Sequence, residues 1–161
     1  MTIKVGDRLP KATLRRFGEG GIQEVSTESL TSGKKVVLFA VPGAFTPTCS
    51  EQHLPGFMQH ADAIRAKGVD TIACVAVNDP FVVNAWAKAT GAAGKVDILS
   101  DGNADFTKAV GLELDASGFG LGIRSKRYAM IVEDGVVKQL MVEDVPTQAD
   151  ASSANAILAA L

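Results

Sequence analysis

Residues Val36 to Ser50 read Val-Val-Leu-Phe-Ala-Val-Pro-Gly-Ala-Phe-Thr-Pro-Thr-Cys-Ser, and this stretch decides the fold class. Its first six residues are a short apolar run rich in β-branched and aromatic side chains, which is typical of a strand buried on both faces. Pro42-Gly43 ends that strand, and Pro47 restricts the residues before it, so the next element begins near Thr48. Cys49 is therefore predicted in the first turn of a helix, where unpaired N–H groups and the helix dipole favour a thiolate.

The composition of the chain indicates one globular domain over residues 1–161. It is 47% hydrophobic and contains no linker, repeat or low-complexity segment. Sixteen Lys and Arg against eighteen Asp and Glu leave a formal charge of −2, which offers no basic surface for nucleic acid or an anionic membrane. The first residues lack the apolar segment of a signal peptide, and no apolar run approaches the roughly 20 residues of a membrane span. We expect a cytoplasmic protein.

Apolar β-type runs alternate with helical patterns along most of the chain, which indicates an α/β fold. A short hairpin is predicted around Gly18 to Gly21. Five further strands are predicted at Val36–Val41, Val69–Val77, Val96–Leu99, Tyr128–Glu133 and Val136–Val142. The last two form a hairpin across Asp134-Gly135, a dipeptide that favours tight two-residue turns.

Helical signals fill the gaps between these strands. Four helices are predicted: one that carries Phe57, Ala61 and Ile64 and ends at Lys67-Gly68, one that starts at Asn78-Asp79-Pro80, one near Asn103, and one from Asp150 to Leu161. A strand that leads into a helix with a reactive cysteine, followed by a C-terminal hairpin and a last helix, resembles the thioredoxin-like fold. Such a fold has a central mixed β-sheet flanked by helices.

The motif around the cysteine differs from that of a disulfide reductase. Thioredoxins have Cys-x-x-Cys, whereas this chain has Thr46-Pro47-Thr48-Cys49, so no local dithiol can cycle. Pro42, Thr46 and Cys49 form the pattern Pro-x-x-x-Thr-x-x-Cys of the peroxiredoxins, and the stretch up to Ser50 closely resembles their type II (peroxiredoxin 5) branch. The resemblance continues over nearly the whole chain, in His53-Leu-Pro-Gly-Phe57, Val75-Ala-Val-Asn-Asp79 and Arg127-Tyr-Ala-Met-Ile-Val-Glu-Asp-Gly135.

The resemblance implies a role for each matching residue. Cys49 is the peroxidatic cysteine, whose thiolate attacks a peroxide oxygen and becomes a sulfenic acid. A free thiol is only a few per cent ionised at neutral pH, so a cation is needed, and Arg127 matches the active-site arginine of the family. Thr46 matches the threonine that contacts peroxide and sulfur, the N–H groups of Thr48 and Cys49 hold the developing anion, and Pro42 shields the thiolate. We expect no metal and no cofactor.

Two further assignments stay open at this level. Arg124 competes with Arg127, and we favour Arg127 because it stands immediately before Tyr128 and the strand; Arg124 is a supporting or solvated residue. Phe45 and Phe119 line the substrate mouth at a homodimer contact if the resemblance to the branch extends to them, and plain loop packing is the alternative.

The second cysteine, Cys74, is interpreted as an inert core residue because it lies inside a predicted buried strand. Some family members have a resolving cysteine near the C-terminus, where this chain has Ser152 and Ser153. We therefore expect an external reductant: glutaredoxin with glutathione first, and thioredoxin second. The predicted reaction is reduction of hydrogen peroxide and small alkyl hydroperoxides. A redox sensor, in which oxidation of Cys49 controls the binding of a partner, is the alternative from another class.

His53 follows Cys49 by four residues, a spacing that places both side chains on one helical face. That spacing would suit a metal pair or the thiol–imidazole dyad of a cysteine hydrolase. Pro55 disturbs this face, and no further acidic or histidine residues complete a metal site, so we favour neither. His60 is interpreted as a solvated helix residue and Trp86 as core.

Overall fold

A computed structural model describes residues 2–161, and nine strands run through that part of the chain. In order they are β1 (Thr13–Gly18), β2 (Gly21–Ser26), β3 (Lys35–Val41), β4 (Thr71–Ala76), β5 (Asp97–Ser100), β6 (Glu113–Asp115), β7 (Ile123–Ser125), β8 (Tyr128–Glu133) and β9 (Val136–Val142). Seven of them form one mixed sheet in the order β2-β1-β5-β4-β3-β8-β9, and β6 pairs with β7 in a small separate sheet. The predicted α/β class is confirmed, as are both hairpins.

Helices cover both faces of the large sheet. They are α1 (Thr27–Thr31), α2 (Leu54–Gln59), α3 (Ala61–Ala66), α4 (Pro80–Thr90), α5 (Asp105–Ala109) and α6 (Ala154–Ala160), with a π-helical turn at Cys49–His53 and a 3₁₀ turn at Ser117–Phe119. Helix α4 starts as predicted, because the Asp79 side chain accepts a hydrogen bond from the N–H of Val82 and Pro80 takes the first turn. None of the helices within residues 2–161 has the length and apolar character needed to cross a membrane.

Strand β3 lies inside the large sheet, parallel to β4 and antiparallel to β8. Residues Val36–Val41 are completely buried. Alternate side chains pack on opposite faces: Phe39 joins the cluster that contains Cys49 and Phe57, whereas Leu38 joins the cluster that contains Tyr128. The predicted burial of this strand on both faces is therefore confirmed.

Two helix predictions and the predicted exposure of His60 need correction. The helix expected through Phe57 and Ile64 is two helices, because His60 leaves helical geometry with φ of −99° and ψ of 8°. His60 itself is half-buried rather than solvated. The last helix begins at Ala154, not at Asp150, because the Ser153 hydroxyl caps it by accepting from the N–H of Ala156.

Candidate active site

Cys49 lies just after the central strand, in the first turn of a helix as predicted. Helical backbone starts at Pro47, and the N–H of Ser50 donates to the carbonyl of Thr46 at 3.0 Å. The turn is of the π type, since the N–H of Leu54 donates back to the carbonyl of Cys49. Such turns are rare and often mark functional sites. The cysteine is completely buried.

Two polar groups contact the sulfur of Cys49. The hydroxyl of Thr46 lies 2.8 Å from Sγ, and Nη2 of Arg127 lies 3.0 Å from it. The guanidinium is always charged, so this contact favours the thiolate over the thiol. The Thr46 oxygen also lies 2.7 Å from the carbonyl of Gly43. Because a hydroxyl has one proton, it donates to one of these acceptors at a time and keeps lone pairs for another donor.

Arg127 is held in place by three acceptors, two from the π-helical turn Cys49–His53 and one from the segment after β9. Its Nε donates to the carbonyl of Pro146 and its Nη1 contacts Nδ1 of His53, each at 3.0 Å, while Nη2 reaches Cys49. The side chain is buried. Across residues 2–161, no carboxylate oxygen approaches the guanidinium within 4.0 Å. Its charge is thus directed at the sulfur and is not neutralised by a carboxylate of residues 2–161.

His53 links Arg127 to the C-terminal part of the chain. Its Nε2 lies 2.9 Å from the carbonyl of Ser152, which can only accept, so Nε2 holds the proton and Nδ1 accepts from Arg127. The ring packs edge-on against Phe39 and Phe57. Burial lowers the pKa of His53 to about 4, an effect that the neighbouring Arg127 charge reinforces. The imidazole is therefore neutral at physiological pH.

The hydrogen bonds of His53 argue against both roles that its spacing from Cys49 suggested, namely a metal ligand and the imidazole of a thiol–imidazole dyad. Both ring nitrogens are already engaged, one by Arg127 and one by Ser152, so the ring can neither bind a metal nor take a proton from Cys49. Sequence reasoning missed its contact with Arg127. The i, i+4 spacing to Cys49 was the available signal, because it places both side chains where one guanidinium reaches them.

The structure separates the two candidate arginines. Arg124 donates from Nε to the carbonyl of Leu121 at 2.9 Å and from Nη1 to that of Pro42 at 3.5 Å. It therefore ties two loops together, whereas Arg127 reaches the sulfur. A Cβ atom on Gly43 would lie 2.8 Å from Nη1 of Arg124, so a larger residue there would displace the guanidinium.

An apolar cavity of about 380 Å³ is lined in part by Thr46 and Arg127, the two residues that contact the sulfur. Its wall consists of Pro42, Thr46, Pro47, Thr48, Leu114, Asp115, Ala116, Phe119, Leu121, Arg127, Pro146 and Thr147. Thr48 also donates from its hydroxyl to the carbonyl of Thr147. Of the two phenylalanines expected at the mouth, Phe119 lines the wall and is 87% exposed. Phe45 does not line it; its backbone has φ of 66° and the residue is 54% exposed.

Cys74 lies in β4, in the same buried apolar cluster as Cys49. It is completely buried, and burial raises the pKa of its thiol well above the usual range. Both cysteines are free thiols.

Comparison with known proteins identifies the family. The Redoxin family model matches residues 4–158. Peroxiredoxin-2C of Oryza sativa is 52% identical over 160 residues, which cover 99% of this chain and 98% of that protein. The chain belongs to the peroxiredoxin family. Reduced Prx3 of Vibrio vulnificus in complex with H₂O₂ has the same fold as this peroxiredoxin, with a TM-score of 0.94, 54% identity and 99% coverage of each chain.

The relatives also include longer proteins. Chloroplastic peroxiredoxin-2E-2 of Oryza sativa is 55% identical over 149 residues, yet this peroxiredoxin spans only 66% of its length. The resemblance to the type II branch and the thioredoxin-like fold are both confirmed by these relatives.

Proposed function

We propose that this peroxiredoxin is a thiol peroxidase that reduces hydrogen peroxide and small alkyl hydroperoxides at Cys49. The observation that carries the proposal is the convergence of the Arg127 guanidinium and the Thr46 hydroxyl on one buried sulfur, at 3.0 and 2.8 Å. The relative from Vibrio vulnificus, crystallised with H₂O₂, supports the choice of substrate.

The reaction follows from these groups. The thiolate of Cys49 attacks one peroxide oxygen, an S–O bond forms as the O–O bond breaks, and water or an alcohol leaves after taking up a proton. Sulfur is oxidised by two electrons to the sulfenic acid, and the peroxide is reduced by two. Arg127 stabilises negative charge on sulfur and on the leaving oxygen. The Thr46 oxygen orients the peroxide by accepting a hydrogen bond from its O–H group.

The apolar wall of the cavity supports alkyl hydroperoxides as substrates besides hydrogen peroxide. A peroxide group beside Cys49 leaves its carbon chain against Phe119 and Leu121, where burial of apolar surface favours binding. The cavity volume of about 380 Å³ suits a small organic group.

For the return to the thiol we propose an external reductant, glutaredoxin with glutathione first and thioredoxin second. An incoming thiol attacks the sulfenic sulfur, water leaves, and a second thiol then resolves the mixed disulfide. The chain has no cysteine after Cys74, and Cys74 is shielded inside the sheet. The C-terminal segment supplies Ser152 and Ser153 instead of a thiol.

A homodimer is also proposed, with a second copy against exposed apolar side chains in and next to the two loops that Arg124 joins. These side chains are Phe45, Phe119, Leu121 and Ile123. Arg124 holds the loop of Leu121 against the loop of Pro42, so apolar groups from both loops lie on one side of the molecule.

The test is peroxide consumption by Cys49→Ser, with Cys74→Ser as the matched control. We expect Cys49→Ser to fall to the uncatalysed rate and Cys74→Ser to retain turnover with an added glutaredoxin–glutathione or thioredoxin system. Retained turnover in Cys49→Ser contradicts the proposal. A single round of oxidation in the wild type, with no turnover in either system, points instead to a redox sensor.

A further inference from the structure

The hydrogen bonds around Cys49 do not end at His53 but continue into the C-terminal segment. Ser152, whose carbonyl accepts from Nε2 of His53, is completely buried, and it is held by Glu143, which is 8% exposed. One carboxylate oxygen of Glu143 accepts from the N–H of Ser152 at 2.6 Å and from its hydroxyl at 2.5 Å. A buried carboxylate that receives two such bonds is a strong anchor.

The same glutamate is tied to Arg127 through the backbone. The N–H of Glu143 donates to the carbonyl of Arg127 at 2.9 Å, and the carbonyl of Pro146 accepts from Nε of the guanidinium at 3.0 Å. The segment from Glu143 to Ser152 thus contacts Arg127 at its main chain, at Nε, and through His53 at Nη1.

The hydrogen bonds of Glu143 and Ser152 affect the active site through the tautomer of His53. With the proton on Nε2, the lone pair of Nδ1 faces Arg127 and accepts its N–H. With the proton on Nδ1, the N–H of His53 would face the N–H of Arg127. The guanidinium would then have to move away from the imidazole ring that orients it. The carbonyl of Ser152, fixed beside Nε2, accepts the hydrogen bond of the Nε2 proton and so favours the first of these tautomers.

We propose that Glu143 and Ser152 are positioning residues for the peroxidase reaction: they select the tautomer of His53 that aligns Arg127 with Cys49. This role rests on the proposed function. Neither residue touches the sulfur. A neutral imidazole orients the guanidinium without neutralising it, whereas a carboxylate in the same place would pair with the charge that Cys49 needs.

Glu143→Gln and Ser152→Ala test this role, each against a neighbour with matched chemistry. The controls are Asp144→Asn, an exposed carboxylate, and Ser153→Ala, which removes only the cap of α6. Glu143→Gln keeps the volume but loses the charged acceptor, while Ser152→Ala removes only the hydroxyl bond. We expect kcat/KM for hydrogen peroxide to fall roughly tenfold or more in Glu143→Gln, less in Ser152→Ala, and not in the controls.

Two readouts separate positioning from simple loss of stability. ¹⁵N NMR of the imidazoles reports the tautomer of His53 directly in the reduced protein, and the chain has only one other histidine, His60. We expect a single Nε2-protonated form in the wild type and a mixture in Glu143→Gln. The acid limb of the pH–rate profile should also move to lower pH in that variant, because the charge of Glu143 raises the pKa of His53 and the variant lacks that charge.

The inference is overturned if both variants keep the wild-type tautomer and the wild-type acid limb. If Glu143→Gln does not fold, Ser152→Ala, which retains both backbone contacts, decides by the same readouts. The NMR measurement does not depend on turnover, so a failure of the peroxidase proposal, seen in Cys49→Ser, is distinguishable from a failure of this one.

Discussion

The guanidinium of Arg127 brings an unpaired positive charge to a buried sulfur, and this is the main electrostatic feature of the site. Three neutral or sulfur acceptors orient it, so its charge is not shared with a carboxylate. The attraction between the guanidinium and negative charge on the sulfur is stronger in this buried site than in water, because dielectric screening is weaker there.

Replacing Arg127 with Gln therefore weakens catalysis. We expect the second-order rate constant with hydrogen peroxide to drop about 10²-fold, because the negative charge on sulfur and on the leaving oxygen loses its cation. Stopped-flow kinetics measure this effect. Arg124→Gln is the control, since that side chain lies off the sulfur and binds two carbonyls. Equal losses in both variants would contradict the assignment of Arg127.

His53 makes the stability of the protein dependent on pH in the acid range. Its pKa is about 4 when folded, below the ordinary value of 6.5, so the unfolded chain binds a proton that the folded chain does not. Stability is full above pH 6.5 and falls as the pH drops from 6.5 to 4, by about 3 kcal/mol in total from this group.

Urea unfolding of the wild type and of His53→Gln at pH 7 and pH 4.5 measures this effect. The difference between the two pH values should shrink in His53→Gln and persist in His60→Gln. An unchanged pH dependence in His53→Gln would show that other groups cause it.

At the scale of elements, one π-helical turn supplies two of the three acceptors of Arg127. Cys49 begins the turn and His53 ends it, while Pro146 comes from the segment after β9. The cavity wall is also built by elements rather than by the motif alone. The 3₁₀ turn Ser117–Phe119 and the loop that follows it bring Phe119 and Leu121 into the same cavity wall as Pro47.

Phe119→Ala should alter substrate preference. We expect kcat/KM for cumene hydroperoxide to fall about tenfold relative to that for hydrogen peroxide, because the organic group loses its apolar contact. Phe81→Ala is the control: Phe81 is also exposed, but it packs against Phe17 and lies outside the cavity. Sedimentation of the same two variants examines the proposed dimer. An equal effect on both hydroperoxides would argue against Phe119 as part of the substrate wall.

At the scale of the whole molecule, the large sheet brings distant segments to one point. Strand β8 pairs with β3 and positions Arg127 over the start of the helix that follows β3. Strand β9 pairs with β8 and delivers the Glu143 segment to the same place. The compartment in which the protein works stays a prediction.

Local patterns predicted part of this molecule well. The apolar run of β3, the Pro-Gly that ends it and the Asp79-Pro80 start of α4 depend on neighbouring residues, and each is found. The break at His60 was not predicted, because Phe57, Ala61 and Ile64 keep helical spacing across it. Periodicity reports which side chains face the core, and it is insensitive to a single residue that leaves helical geometry.

The sequence by itself determined a buried central strand, a cysteine in the first turn after it, and a threonine in place of a second thiol, because these follow from residues adjacent in the chain. Its local pattern left two arginines open, and only family resemblance favoured Arg127. The tertiary structure alone decided that Arg127 contacts a sulfur 78 positions away and that His53 is held by a carbonyl 99 positions away. Such contacts depend on the order and register of strands in the sheet. The spacing of residues along the chain does not specify either of them.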